Sequence, residues 1–210
     1  MSTLFLDTSH HLTLGLLNEK FQWLDYRKIE GGKTATDLHH NLYQMLTGHK
    51  LQLKNLSAAI QIAGPGSYTG MRVSDGLFQS LKLFGLNTHS IYHFDVPHLL
   101  GKSSGLWLSN AFKGEIFSVE WDGEQKNQNL MSEKDFISRY EDVKNTKLYT
   151  HHITAFSPTF SLWVKQKSFC ETSALIQDCS ELLFPQIVQQ NVYKPIFYYR
   201  PIEQEFKKPN

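Results

Sequence analysis

Thr3 to Leu6, Thr13 to Leu17 and Phe21 to Ile29 form three short runs of apolar or loosely alternating residues. The first ends in Asp7-Thr8-Ser9, and Asn18-Glu19-Lys20 makes a turn before the third. Connections this short predict three strands joined as an antiparallel meander. Glu30-Gly31-Gly32-Lys33 breaks the pattern, and the period then becomes helical from about Thr36 to Thr47. Leu38, Leu42, Met45 and Leu46 share one arc there, with Asp37, Asn41 and Gln44 opposite. Thr34 with Asp37 makes an imperfect capping box, and Gly48 is a plausible stop. Ala59 to Ala63 is apolar and short enough for a buried strand, Val73 to Phe84 is helical again, and Thr88 to Ile91 reads as one more strand.

Three strands, helix, strand, helix, strand is the order of a mixed sheet with helices on it, the ribonuclease-H-like layout. The helix after residue 70 carries an unusually wide apolar arc. Val73, Leu77, Leu81 and Phe84 form its stripe, Met71 and Phe78 widen one side, and Gly76, Ser80 and Leu83 widen the other. Arg72, Asp75, Gln79 and Lys82 leave only a narrow polar strip. That arc is roughly twice the ~100° of an ordinary surface helix. Such a helix is covered on two sides, either by the rest of its own chain or by a partner.

A second segment begins near His93-Phe94-Asp95, with Gly101 to Gly105 as a linker. Leu106 to Leu108, Ile116 to Trp121 and Lys147 to Thr150 read as strands. Ser132 to Tyr140 reads as a helix capped by Ser132, and Ser173 to Leu183 as a helix stopped by Pro185. The order faintly echoes the first segment, without a repeat at the residue level. The domains expected are 1–98, 99–190 and a tail, 191–210.

Between the strand at 59–63 and the wide helix lies Gly64-Pro65-Gly66-Ser67-Tyr68-Thr69-Gly70-Met71-Arg72. Ser67 or Thr69 can cap the helix, and a helix start with free N–H groups is a natural anion site. A tight strand-to-helix turn explains the same residues, and the loop lacks both the Walker Lys-Ser/Thr and the dinucleotide spacing. Asp7 stands where a carboxylate faces phosphate or metal in such lobes, or else closes an Asx turn.

Composition narrows the function. With 21 basic and 20 acidic residues among 210, the net charge is +1. Nonspecific nucleic-acid binding needs a clustered cationic excess, and the basic stretch Phe206-Lys207-Lys208 is too short to supply one. Two cysteines, Cys170 and Cys179, point to a reducing compartment rather than a disulfide scaffold. No apolar run reaches the ~18 residues of a membrane span, and no signal peptide precedes the first strand, so a cytoplasmic location is expected. Ten histidines include the pairs His10-His11, His39-His40 and His151-His152. Adjacent residues on a helix or strand point apart, so these are poor chelates and no metal site is expected. Glu115 and Asp122 read as solvated acids. No nucleophile elbow, HExxH motif or defensible carboxylate pair occurs.

Leu6-Asp7-Thr8-Ser9 after the first strand, and Gly64 to Val73 some sixty residues later, resemble the TsaB (YeaZ) family. The first matches that family's Leu-Asp-Thr-Ser opening. The second matches its Gly-Pro-Gly-Ser-Phe/Tyr-Thr-Gly-Leu/Met-Arg loop nearly residue for residue. Pro195-Ile196-Phe197-Tyr198-Tyr199-Arg200 is similar, more loosely, to the family's Pro-x-Tyr-Leu-Arg tail. The resemblance implies an α/β protein of two ribonuclease-H-like lobes, the actin-like (ASKHA) fold, with mixed sheets flanked by helices. It implies a noncatalytic scaffold that binds TsaD in the complex forming threonylcarbamoyladenosine beside the tRNA anticodon. TsaE joins through that complex, tRNA is met only indirectly, and a homodimer forms when TsaD is absent. Interface candidates are then Leu38, Leu42, Met45, Met71, Ser74, Leu77, Phe78 and Leu81. A vestigial phosphate site would use Asp7, Thr8, Ser9, Gly64, Gly66, Ser67 and Thr69. No cofactor is implied for this subunit, ATP and Mg²⁺ entering only through the complex. Where the family has Asp-Ala-Arg-x-Gly-Glu, this chain has Asn110-Ala111-Phe112-Lys113-Gly114-Glu115. Lys33 to Thr36 likewise lacks the family's Arg-x-His-Ser. The alternative is an active ATP-dependent phosphotransferase of the same superfamily, using Asp7 and the glycine loop. A protease role has no nucleophile–base pair to rest on.

Overall fold

The computed structural model describes residues 2–30, 34–141 and 146–200. Three expectations lie outside the described residues: the break at Gly31 to Lys33, the Thr34 side chain of the capping box, and the basic stretch 206–208. The chain divides into two compact units, Met1–Tyr92 with Ser180–Tyr198, and His93–Cys179 with Tyr199–Asn210.

In the first unit, β1 (Ser2–Asp7), β2 (Leu12–Leu17) and β3 (Trp23–Ile29) form the antiparallel meander. Helix α1 (Thr34–Gly48) then leads to β4 (Leu56–Ile62), parallel to β1. Helix α2 (Tyr68–Leu83) leads to β5 (Asn87–Ile91), parallel to β4. The sheet order is β3-β2-β1-β4-β5. Leu4, Leu6, Leu14, Leu16 and Ala59 turn one face of this sheet toward Leu38 and Met45 of α1 and Phe78 and Leu81 of α2.

The second unit contains α3 (Val96–Leu99), β6 (Ser104–Asn110), β7 (Glu115–Asp122) and β8 (Gln125–Ser132). These are followed by α4 (Glu133–Arg139), β9 (Leu148–Thr150), α5 (Pro158–Lys165), β10 (Phe169–Glu171) and α6 (Thr172–Asp178). Its sheet runs β10-β9-β6-β7-β8, the same path as the first sheet, with an antiparallel meander and two parallel additions. The faint echo in the sequence is therefore a repeat of topology. Leu106, Leu108 and Ile116 pack against Phe136, Phe160 and Val164 in its core. Ser132 caps α4 as expected, its Oγ accepting from Asp135 N at 3.1 Å.

The helix expected over 173–183 is two helices. One ends at Asp178, and α7 (Ser180–Gln189) belongs to the first unit. Pro185 lies inside α7 and does not stop it. A proline removes one backbone hydrogen bond, but Leu183, Phe184 and Ile187 are buried on both sides of it. That apolar anchoring carries the helix past the missing bond. Phe184 meets Phe5 at 5.5 Å and Trp23 at 5.6 Å between ring centroids.

His89 on β5 is buried, and neither ring nitrogen has a hydrogen-bond partner. Burial pushes its pKa below the usual 6.5. The folded state therefore keeps this ring neutral where the unfolded chain binds a proton. Its contribution is fully present above about pH 6.5 and is lost as pH falls toward the lowered folded value. Denaturant titrations should show stability falling by up to ~1.4 kcal/mol per pH unit in that window. His89→Leu should remove that part of the slope.

Candidate functional site

The glycine loop starts where β4 ends. Gly64 adopts φ +108°, and a Cβ there would meet Met71 Sδ at 2.6 Å and the Phe197 carbonyl at 2.8 Å. Gly66 is held for a different reason: an added Cβ would lie 2.3 Å from the Ser9 carbonyl oxygen. Gly70 sits equally close to the Thr8 carbonyl, with its Cβ position 2.2 Å from that oxygen. Ser67 N donates to Ser9 O at 2.6 Å, and Ser67 Oγ caps α2 by accepting from Gly70 N at 3.3 Å. The loop is thus sealed onto the turn after β1 by backbone-to-backbone packing. Two N–H donors that a phosphate would use are already engaged, and glycines that could admit a ligand admit the chain itself.

Asp7 shows the same economy. Its Oδ1 accepts from Ser9 N at 2.9 Å and Ser9 Oγ at 2.5 Å, the Asx turn that the sequence left as one of two readings. Thr8 Oγ1 is buried without a hydrogen-bond partner. Thr69 is exposed. The residues named for a phosphate site are therefore gathered in one place, where Ser9 binds both the Asp7 carboxylate and the Ser67 N–H.

The α1–α2 face differs from expectation. Leu38, Leu42, Met45, Met71, Ser74, Phe78 and Leu81 are buried in the first unit's own core, and Leu77 is half-buried. The reason is geometric. Met71, Ser74, Phe78 and Leu81 follow one another at three- and four-residue steps, so this arc of α2 seats on the sheet. What remains open is the neighbouring flank. Gly76 and Ser80 are exposed, Leu83 is 89% exposed and Phe84 is 85% exposed. On α1, Tyr43 is 68% exposed beside an apolar groove lined by Leu42, Leu46, Leu51, Leu53 and Leu77. A second hollow, lined by Leu53, Leu56, Leu81, Phe84 and Leu86, shares Leu53 with the first. Of the interface candidates, Leu42 and Leu77 line the first groove, whereas Leu83 and Phe84, which the sequence places on the wide arc, were not among them.

Tyr68 at the start of α2 packs against Tyr198, ring centroids 5.0 Å apart and planes tilted by 36°, and its hydroxyl accepts from Arg72 Nη1. Burial, then the neighbouring Tyr68, pushes the Tyr198 hydroxyl above its ordinary pKa of 10.

In the second unit, Asn110 Nδ2 donates to Ala155 O at 2.5 Å and its Oδ1 accepts from Phe112 N at 2.8 Å. A carboxylate could not make the first bond, which gives the asparagine a structural role. Phe112 and Lys113 both adopt left-handed φ, +63° and +53°. Glu115 is not the solvated acid expected. Its carboxylate pairs with the Arg200 guanidinium, which also donates to Ala111 O at 2.8 Å. The Arg of the tail thus locks the β6–β7 turn.

Among the described residues no helix is long and apolar enough to cross a membrane. No family model matches the sequence, and no curated protein matches it significantly. Solved structures do match. YeaZ from Pseudomonas aeruginosa aligns with TM-score 0.61 and 14% identity, covering 94% of this chain and 100% of that one. A second structure, described as an uncharacterized protein with similarity to peptidase YEAZ from Pseudomonas aeruginosa, gives 0.61 and 15%, covering 93% and 99%. The activator of 2-hydroxyisocaproyl-CoA dehydratase from Clostridium difficile, with bound ADPNP, gives 0.52 and 10% over 100% of both chains. The fold is thus the one shared by YeaZ and the dehydratase activator.

Proposed function

We propose that this chain is a TsaB-type scaffold that binds and activates a TsaD-type subunit, in the complex forming threonylcarbamoyladenosine next to the tRNA anticodon. The observation that carries the reading is the open apolar flank of α1 and α2, where the exposed Tyr43 and Phe84 line leucine-rich hollows and Leu83 lies exposed next to Phe84. The YeaZ fold and the Gly64 to Val73 motif support it. The sealed glycine loop favours a scaffold over a phosphotransferase, because a phosphate would have to displace the Ser9 and Thr8 carbonyls. On this reading the subunit carries no nucleotide chemistry of its own. It works in the cytoplasm, meets TsaE and tRNA only through the complex, and pairs with itself when TsaD is absent.

Phe78→Asp cannot test this, since Phe78 is core and the unit would unfold. Leu83→Asp and Phe84→Asp can, because exposed substitutions change stability by only about ±0.5 kcal/mol. Burying each of these side chains at an interface is worth about 1.5–3 kcal/mol. In sedimentation velocity with TsaD, each charge should weaken association at least ~10-fold, at an unchanged melting temperature. Unchanged association would remove this flank, and the role built on it, from consideration.

A further inference from the structure

We propose that α7 is an acid-released strap, which leaves the first sheet when His89 takes up a proton while the strands beneath it stay paired. Register places the imidazole under that helix. Phe5 of β1, Ile60 of β4 and His89 of β5 are aligned across the sheet, so their side chains leave it on the same face. The Phe5 ring meets Phe184 of α7. Leu4, Leu6 and Ala59, at alternate positions, pack instead with α1 and α2. The face that carries His89 is therefore the one α7 covers, and α7 packs against β5 directly.

His89 is 3% exposed, and neither Nδ1 nor Nε2 has a hydrogen-bond partner. A protonated ring there would hold two N–H donors with nothing to receive them, so water is the better host for the charged form. The charged groups nearby do not alter this. β4 and the rest of β5 have no ionisable side chain. α7 brings Glu181, in its first turn. α2 brings Arg72, Asp75 and Lys82, but to the opposite face. Tyr193 and Lys194 follow α7, and Lys194 Nζ lies 4.8 Å over the Tyr92 ring. Burial is what holds the His89 pKa below 6.5.

The helix is also placed to leave by itself. All strands of the sheet are complete by Ile91, and α7 joins them from beyond Cys179. Pro185 removes a backbone hydrogen bond from its middle. Its hold is apolar, through Leu183, Phe184 and Ile187, so the imidazole beneath supplies the pH dependence. With α7 away, the solvated ring titrates near 6.5; with α7 seated, it titrates lower. Opening is therefore constant above about pH 6.5. Below that it grows by up to ~10-fold per pH unit, until the lowered value of the seated form is reached.

The test is native-state hydrogen exchange of the full chain from about pH 7.5 to 4.5, corrected for the intrinsic pH dependence of amide exchange. Protection in α7 should stay level to about pH 6.5 and then fall by up to ~10-fold per unit. At each pH it should lie at least ~10-fold below the protection of β1 and β2, because the strap opens without the sheet. His89→Leu should flatten the α7 profile. The parent chain's own profile decides the matter if that variant fails to fold. A level α7 profile in the parent, a slope that survives in His89→Leu, or equal protection in α7 and β1 would overturn the strap.

Discussion

Gly66→Ala should lower the melting temperature by about 6–12 °C. Its Cβ would sit 2.3 Å from the Ser9 carbonyl oxygen, 2.6 Å from Ser9 Cα and 2.5 Å from Ser9 Cβ. Those atoms belong to the turn after β1, whose Asx bonds and Ser67 N–H contact hold it in place. Neither side can yield as a flexible side chain would, so the cost lies at or above the ~3 kcal/mol upper end of ordinary overpacking. At roughly 2–4 °C per kcal/mol for a chain of this size, the stated shift follows. Gly76→Ala in α2 is the internal control. Its Cβ meets nothing within 4 Å, and alanine is the better helix former, so stability should rise by about 0.5–1 kcal/mol. Thermal melts followed by circular dichroism decide both. A Gly66→Ala protein as stable as the parent would mean that the loop is not packed against Thr8 and Ser9.

Phe184→Ala should cost about 3–5 kcal/mol, as buried phenylalanine truncations do, and lower the melting temperature by about 6–20 °C. Phe184 is fully buried, and its ring meets Phe5, Trp23 and Phe21. Because Trp23 lies against it edge-on at 5.6 Å, the substitution should also shift tryptophan emission. If α7 were instead a loosely attached helix, truncation would cost well under 1 kcal/mol and leave the fluorescence alone.

The two predictions mark where the sequence was legible and where it was not. Period and caps gave much of the first unit: the meander and α1 stand where alternation and period put them, while α2 begins at Tyr68, ahead of the periodic stretch from Val73, behind Ser67, one of the two cap candidates. Strand β8 was missed because Gln125 to Asn129 is polar on both faces and exposed, as an edge strand can be. Helix α5 was missed although Ser157-Pro158, a cap followed by proline at the first helical position, announced it. Pro185 misled because local chemistry was weighed above the buried Leu183, Phe184 and Ile187 around it. In the candidate site, the apolar arc of α2 is wider than the part of it that is buried, Leu83 and Phe84 staying exposed. Periodicity alone does not say which half of such an arc meets its own sheet, so the core half was named and Leu83 and Phe84 were not. Glu115 and Arg200 stand 85 residues apart, and no local signal joins them.

The return of α7 to the first unit also orders events during synthesis. A nascent chain that has left the ribosome as far as Cys179 holds every strand of that unit's sheet, yet Phe5 and Trp23 still lack the ring that covers them. Release of α7 completes the earlier-made half, so a translation product truncated before it would display an aromatic surface for quality-control chaperones to seize.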